Sequence, residues 1–253
     1  PEALVVHSQA SLHTLYALAA FPAGKPTPAA WDAYLAADDA LAAALKRRGL
    51  SYRYILPTDL TDSDLSRVRL IVLPGCVALS DAQAAGLQRY VAAGGALLAD
   101  LMPGSHDEHG RPRTTSPLSA LFAGEHAVCL GRQADAAAAG ELDAALERLG
   151  VSAALPWRCA DGALPAATEL YRYQLGVADY LGLVRAPTAE AEAEGPVTIE
   201  LPEPRWVYDC RRGEALGRLQ RLTVPVAAGD ASFLALLPYQ PDAVTVAASA
   251  EGD

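Results

Sequence analysis

The stretch from Arg69 to Arg113 constrains this chain more than any other. It opens on an apolar run, Leu70 to Leu73, whose consecutive apolar positions suit a strand covered on both faces. Pro74 and Gly75 stop that run. Ser80, with Gln83 three residues on, is a capping-box pattern and predicts a helix start. Ala84, Leu87, Tyr90 and Val91 then share one helical face, and Gly94-Gly95 predict the C-cap. Ala96 to Ala99 is a second apolar strand. Strand, helix and strand with short joints make a βαβ unit, whose strands lie parallel in one covered sheet.

Neighbouring segments repeat the pattern. Ala3 to Val6 is a short apolar strand that ends at His7 and Ser8. A short helix is predicted over Leu12 to Ala20, and a loop over Phe21 to Pro26. Trp31 to Arg48 carries an apolar stripe of Trp31, Tyr34, Leu35, Leu41 and Leu45, with Lys46-Arg47-Arg48 suiting the C-terminal dipole and Gly49 ending the helix. Tyr52 to Leu56 alternates as a strand does. After a polar loop, Pro103 to Pro117, come a helical turn (Leu118 to Phe122), a strand (Ala127 to Leu130) and a helix (Glu141 to Leu149) closed by Gly150. This order predicts a doubly wound α/β domain.

Beyond about Ala160 helical periodicity gives way to short β-rich runs. Strands are predicted at Thr168 to Leu175, Asp179 to Arg185, Val197 to Leu201, Arg205 to Tyr208, Leu216 to Val224, Phe233 to Leu237 and Val244 to Ala247. Ala189 to Gly195 reads as a solvated acidic loop, and Asp209 to Gly213 as a hairpin turn with Gly213 in the left-handed region. The spacing predicts an antiparallel sandwich. The domains are therefore expected at 1–158 and 159–253, with the boundary between Leu155 and Gly162.

With 253 residues, 51% of them hydrophobic, the chain has material for large cores. No apolar run approaches the ~18 residues of a bilayer span, and nothing at the N-terminus reads as a signal peptide. A first residue of Pro1 rather than Met suggests a piece of something longer. A net charge of −10 argues against nucleic-acid and anionic-membrane partners. The four cysteines, Cys76, Cys129, Cys159 and Cys210, form no CxxC pair. They read as reduced, buried residues of a cytoplasmic protein, with two disulfides as the alternative.

The run Ala78-Leu79-Ser80-Asp81, then Leu87, then Tyr90 through Ala99, then Asp107-Glu108-His109-Gly110-Arg111, resembles the middle domain of family-42 glycoside hydrolases, the β-galactosidases. Ala40-Leu41, Leu45 and Gly49 fit the same pattern. The resemblance covers residues 1 to about 150 and implies a flavodoxin-like, class I glutamine amidotransferase fold. It further implies a trimerisation role behind a catalytic (β/α)8 barrel; with no Walker loop and no G-x-G-x-x-G after a strand, no cofactor is expected. More loosely, Trp206-Val207-Tyr208-Asp209, Gly213, Leu216-Gly217 and Leu234 to Pro238 are similar to the β-sandwich that closes such hydrolases.

Amidotransferase chemistry needs a Cys at a sharp strand-to-helix elbow and a late His-x-Glu pair. Here the corresponding position reads Asp100-Leu101-Met102-Pro103-Gly104, and no histidine follows His126. No catalytic residue is therefore assigned. Cys76 has no histidine close in sequence, His106-Asp107-Glu108-His109 sits among Pro and Gly as a polar loop, and Trp31, Trp157 and Trp206 read as core anchors rather than sugar platforms. The loops leaving the parallel strands converge where doubly wound folds bind ligands. A vestigial pocket there would be lined by His7, Ser8, Cys76, Asp100 and His106.

Two readings follow. One is a noncatalytic accessory region of a larger glycoside hydrolase, self-associating (a trimer by resemblance) and joined to an upstream barrel. The other is a small-molecule or sugar-binding protein, or a hydrolase, that uses the crevice at Asp100 and His106.

Overall fold

The computed structural model describes residues 2–20, 28–62 and 64–241. The Phe21 to Pro26 loop, the Trp31 side chain and the strand expected at Val244 to Ala247 lie outside the described residues. The chain divides into two compact units, Pro1–Ala154 and Leu155–Asp253.

The first unit runs β1 (Ala3–Val6), α1 (Gln9–Ala20), α2 (Pro28–Arg47), β2 (Tyr52–Ile55), α3 (Asp59–Asp62), β3 (Leu70–Leu73), α4 (Asp81–Ala92), β4 (Ala96–Ala99), β5 (Ala127–Cys129) and α5 (Ala139–Arg148). Its five strands form one parallel sheet in the order β2-β1-β3-β4-β5. Successive side chains on a strand point to opposite faces. Ala3, Val5, Leu70, Val72 and Leu98 accordingly pack against Leu41 and Leu45 of α2 and Leu142 and Leu146 of α5. Leu4, Val6, Ile71, Leu73 and Leu97 pack against Leu60 of α3 and Leu87 and Tyr90 of α4. Both faces being covered is why β1, β3 and β4 read as unbroken apolar runs, while β2 at the edge alternates.

The capping box of α4 forms as the sequence predicts: Ser80 Oγ accepts from Gln83 N at 3.2 Å while Gln83 Oε1 accepts from Ser80 N at 2.9 Å. At the other end Gly95 N donates to Tyr90 O and Gly94 N to Val91 O, with Gly94 at φ +93°. This is a Schellman closure. Helix α1 starts earlier than expected, at Gln9, and the turn expected at Leu118 to Phe122 is a 3-10 turn at Leu121–Ala123.

The second unit contains β6 (Trp157–Cys159), β7 (Thr168–Leu175), β8 (Ala178–Arg185), α6 (Ala189–Ala193), β9 (Val197–Asp209), β10 (Glu214–Val224) and β11 (Ala231–Leu237). Among the described residues there are not two facing sheets: these strands all hydrogen-bond into one antiparallel sheet, β10-β9-β11-β8-β7, with β6 also on β9. The two short strands expected at Val197 to Leu201 and Arg205 to Tyr208 are one long strand, β9. Between them Leu201-Pro202-Glu203-Pro204 stands opposite the single Gln220 of β10. Prolines cannot donate to a ladder, and an unequal count bends the longer strand. β9 therefore meets β6 along Val197 to Ile199 and β11 along Trp206 to Asp209. The bent sheet closes over one core built on Trp157, Leu181, Leu183, Ile199, Val207 and Leu236. Trp157, 1% exposed, is the core anchor the sequence suggested, while Trp206 is half-buried. The hairpin turn is as expected, with Gly213 at φ +68° and Asp209 Oδ1 accepting from Arg211 N and Arg212 N.

The segment Ala189 to Gly195 departs from its reading as a solvated loop. Thr188 caps the short helix α6, Ala191 is 1% exposed, and the Glu194 side chain is 8% exposed beside Arg185 at 3%. Glu194 accepts from Ala166 N, Ala167 N and Thr168 Oγ1, and Arg185 Nε lies 3.4 Å from its Oε2. Arg185 in turn donates to the carbonyls of Glu194 and Gly195. Alternating Ala and Glu conceal one glutamate that ties α6 to the sheet. Burial pushes its carboxyl up, but the Thr168, Ala166 and Ala167 donors and the Arg185 charge outweigh burial and hold it below the ordinary range.

Two outcomes test this packing. A Cβ on Gly86 would stand 2.4 Å from the Leu60 carbonyl oxygen, which is backbone and cannot yield. Gly86→Ala gains about 1 kcal/mol of helix propensity but incurs about 1–3 kcal/mol of overpacking, so urea unfolding should show a net loss. Glu194→Gln leaves Arg185 buried without its counter-charge and should cost about 3–5 kcal/mol at neutral pH. Because the folded carboxyl is depressed, its contribution is present above the ordinary carboxylate range and lost as pH falls through the folded value. The wild-type advantage over Glu194→Gln should shrink accordingly on acidification.

Candidate functional site

Doubly wound folds place ligands at the carboxyl ends of their strands. The loops here are His7-Ser8 after β1, Pro74-Gly75-Cys76 after β3 and Asp100 onward after β4. Asp100 is fully buried, and its Oδ1 accepts from Gly75 N and from Leu101 N, both at 2.7 Å. Its Oδ2 lies 3.5 Å from Ala134 N. Gly75 adopts φ +53°, a turn held by that carboxylate. Burial raises the Asp100 carboxyl above its ordinary value, only partly countered by the backbone donors of Gly75, Leu101 and Ala134.

Ser8 is equally buried. Its Oγ accepts from Ser11 N at 3.2 Å and reaches Ala78 O at 3.5 Å. Ser11 Oγ donates to Ala78 O and accepts from Ala78 N, so two hydroxyls fasten the segment after Cys76 to the start of α1. His106 joins the same segment through its backbone, His106 N to Val77 O and Leu79 N to His106 O, while its ring Nδ1 lies 3.1 Å from Ser105 Oγ. Asp107 closes the following loop by accepting from His109 N and Arg111 N. Of the five residues expected to line a pocket, Ser8, Cys76 and Asp100 are thus inside, spent on holding the loops. His7 and His106 are half-buried.

His7 faces a different concavity. Its Nδ1 lies 3.4 Å from the Tyr34 hydroxyl, and with Asp38, Tyr54 and Asp59 it lines a hollow of about 470 Å³. The Tyr54 hydroxyl donates to Asp38 Oδ2 at 2.8 Å. Burial raises the Asp38 carboxyl, and burial together with Asp38 raises the Tyr54 phenol. Sequence reading passed over Asp38 and Asp59, since they sit on separate helices, α2 and α3, and only the fold brings them to His7 and the end of β2.

No elbow follows β4. The chain passes through Pro103 and Gly104 (φ +67°), with Gly104 N donating to Cys76 O, and no helix starts there. The thiols are all free, and each has an oxygen as its hydrogen-bond partner: Cys76 to Val6 O, Cys129 to Asp100 O, Cys159 to Glu194 Oε1 and Cys210 to Tyr208 O. Burial, then the Asp100 charge, pushes the Cys76 thiol well above its ordinary value. Cys159 is pushed up to about 11 by burial and Glu194. These are thiols, not thiolates. Only Cys76 is fully buried, against the expectation that all four would be, and Cys210 is exposed.

No family model matches the sequence, and no curated protein matches it. Solved structures do. A β-galactosidase from Bacillus circulans sp. alkalophilus superposes with TM-score 0.65 at 14% identity, over 93% of this chain and 41% of that one. A catalytic mutant of a GH42 β-galactosidase from G. stearothermophilus gives TM-score 0.62 at 13% identity, over 93% and 40%. The fold is GH42-related. An α-L-fucosidase isoenzyme from Paenibacillus thiaminolyticus shares it as well, at TM-score 0.52 and 10% identity over 95% of this chain and 49% of that one. This chain thus spans about two-fifths of the length of the GH42 structures it matches. Among the described residues no helix is long and apolar enough to cross a membrane.

The Asp100 strut is directly testable. Asp100→Ala would leave the Gly75 and Leu101 donors unpaired and should cost about 2 kcal/mol in urea unfolding. Asp100→Asn keeps an acceptor for both. A carboxyl raised by folding stabilises least once it is ionised, so wild type should lose stability relative to Asp100→Asn as pH rises from about 4 through the folded value.

Proposed function

We propose that this chain is a noncatalytic accessory and oligomerisation region of a larger, cytoplasmic glycoside hydrolase. In this reading the α/β unit is a flavodoxin-like, amidotransferase-like domain that self-associates, as a trimer, and the β unit packs on a catalytic barrel. Acid and nucleophile carboxylates of the retaining or inverting kind reside in that barrel. The observation that carries the reading is the occupation of the strand-end crest by Asp100, Ser8 and Cys76 as buried struts, where the amidotransferase-like fold would hold an activated sulfur. The strand order β2-β1-β3-β4-β5 and the match to about two-fifths of GH42 β-galactosidase chains support it.

A second reading, a small-molecule or sugar-binding protein or hydrolase, draws its support from the hollow at His7, Asp38 and Asp59. Light-scattering mass and turnover of aryl galactosides separate the two. The first expects three chain masses and no turnover by this chain alone. Turnover that His7→Ala or Asp38→Asn abolishes, in a variant still folded by circular dichroism, would establish the second.

A further inference from the structure

The β unit holds a cavity of about 220 Å³ that reaches the core residues Leu155, Leu201 and Leu236. Its wall is the four-against-one bulge of β9, which brings Pro202, Glu203 and Arg205 around beside Arg172 of β7 and Asp179 of β8. Leu201 and Leu236 supply apolar floor. Asp179 is 8% exposed, so its charge is tolerable only with a partner. Arg172 is that partner, yet its Nε (3.1 Å) and Nη2 (2.9 Å) both reach the same oxygen, Oδ1. Among the described residues Oδ2 has no hydrogen-bond partner, although it belongs to a side chain that lines the cavity. Arg205, which also lines the cavity, is bound by Glu203 through Nη2 at 2.7 Å, with its side chain 23% exposed.

Charge selects the ligand class. Arg172 and Arg205 balance Asp179 and Glu203, so an ion of either sign would gain little net attraction. A hydroxyl both donates and accepts, and a pair of vicinal hydroxyls matches a free carboxylate oxygen set near guanidinium donors. The apolar floor suits the C–H face of a saturated ring, the usual mixture of apolar lining and few placed polar groups. We propose that this cavity binds one ring of a neutral sugar, with Asp179 Oδ2 accepting from one hydroxyl and Arg205 donating to its neighbour. The site lies wholly within the β unit and does not depend on self-association.

Saturation-transfer difference NMR on the full chain tests it, with D-galactose, D-glucose and D-mannose each as the probe. Transfer to at least one hexose is expected, weakened about tenfold or more by Asp179→Asn and by Arg205→Ala, as loss of a hydrogen bond to a charged group implies. Arg205→Ala sits at the partly exposed rim and should keep the wild-type melting temperature, which guards against simple unfolding. No transfer to any of the three hexoses, or transfer unchanged in Arg205→Ala, overturns the site. Stronger transfer to sodium acetate or ethylammonium chloride than to any hexose overturns the neutral class. Turnover of aryl galactosides by this chain would refute the accessory reading and leave this site untouched.

Discussion

A parallel sheet covered on both faces has an awkward edge where its strands run out. Loops there leave the ladder while still inside the protein, and their N–H groups need acceptors. In this chain one carboxylate meets much of that need. Asp100 takes the amides of Gly75 and Leu101, and Ser8 and Ser11 take up the polar groups of Ala78. The burial that makes the carboxylate a good strut also makes it a poor reagent, because both oxygens face backbone donors. Structure and chemistry compete for the same few atoms at this crest, and structure has them.

The α/β unit was largely legible because its signals are local. Ser80 with Gln83 marks a helix start within four residues, Gly94 marks its end, and the flanking apolar runs need no partner to be recognised. What escaped depends on distant residues. Glu194 looks like its neighbour Glu192 in sequence, and only the approach of Arg185 and Thr168 singles it out. The sandwich was inferred from strand spacing, which counts strands but does not say whether they share one ladder. Pro202 and Pro204 looked like a break between two strands, whereas the backbone bulges there and the strand resumes. Ser8, Cys76 and Asp100 stand just past strand ends, but the sequence around them carries no sign that their side chains are buried.

Fold and function separate cleanly here. The same architecture appears within chains named as β-galactosidases and as an α-L-fucosidase, so the fold by itself fixes no particular activity. At the bulge, among the described residues, Asp179 Oδ2 makes no hydrogen bond, whereas at the crest both oxygens of Asp100 face backbone donors.

The divided strand β9 has a bearing on how this architecture can vary among its relatives. Its two halves are held by different partners, β6 on one stretch and β11 on the other, and β10 keeps separate register with each. Residues gained or lost between Leu201 and Arg205 would alter the loop's girth without sliding either half along its neighbours. Lengthening is absorbed at one place, and the alternation of inward and outward side chains survives on both sides of it.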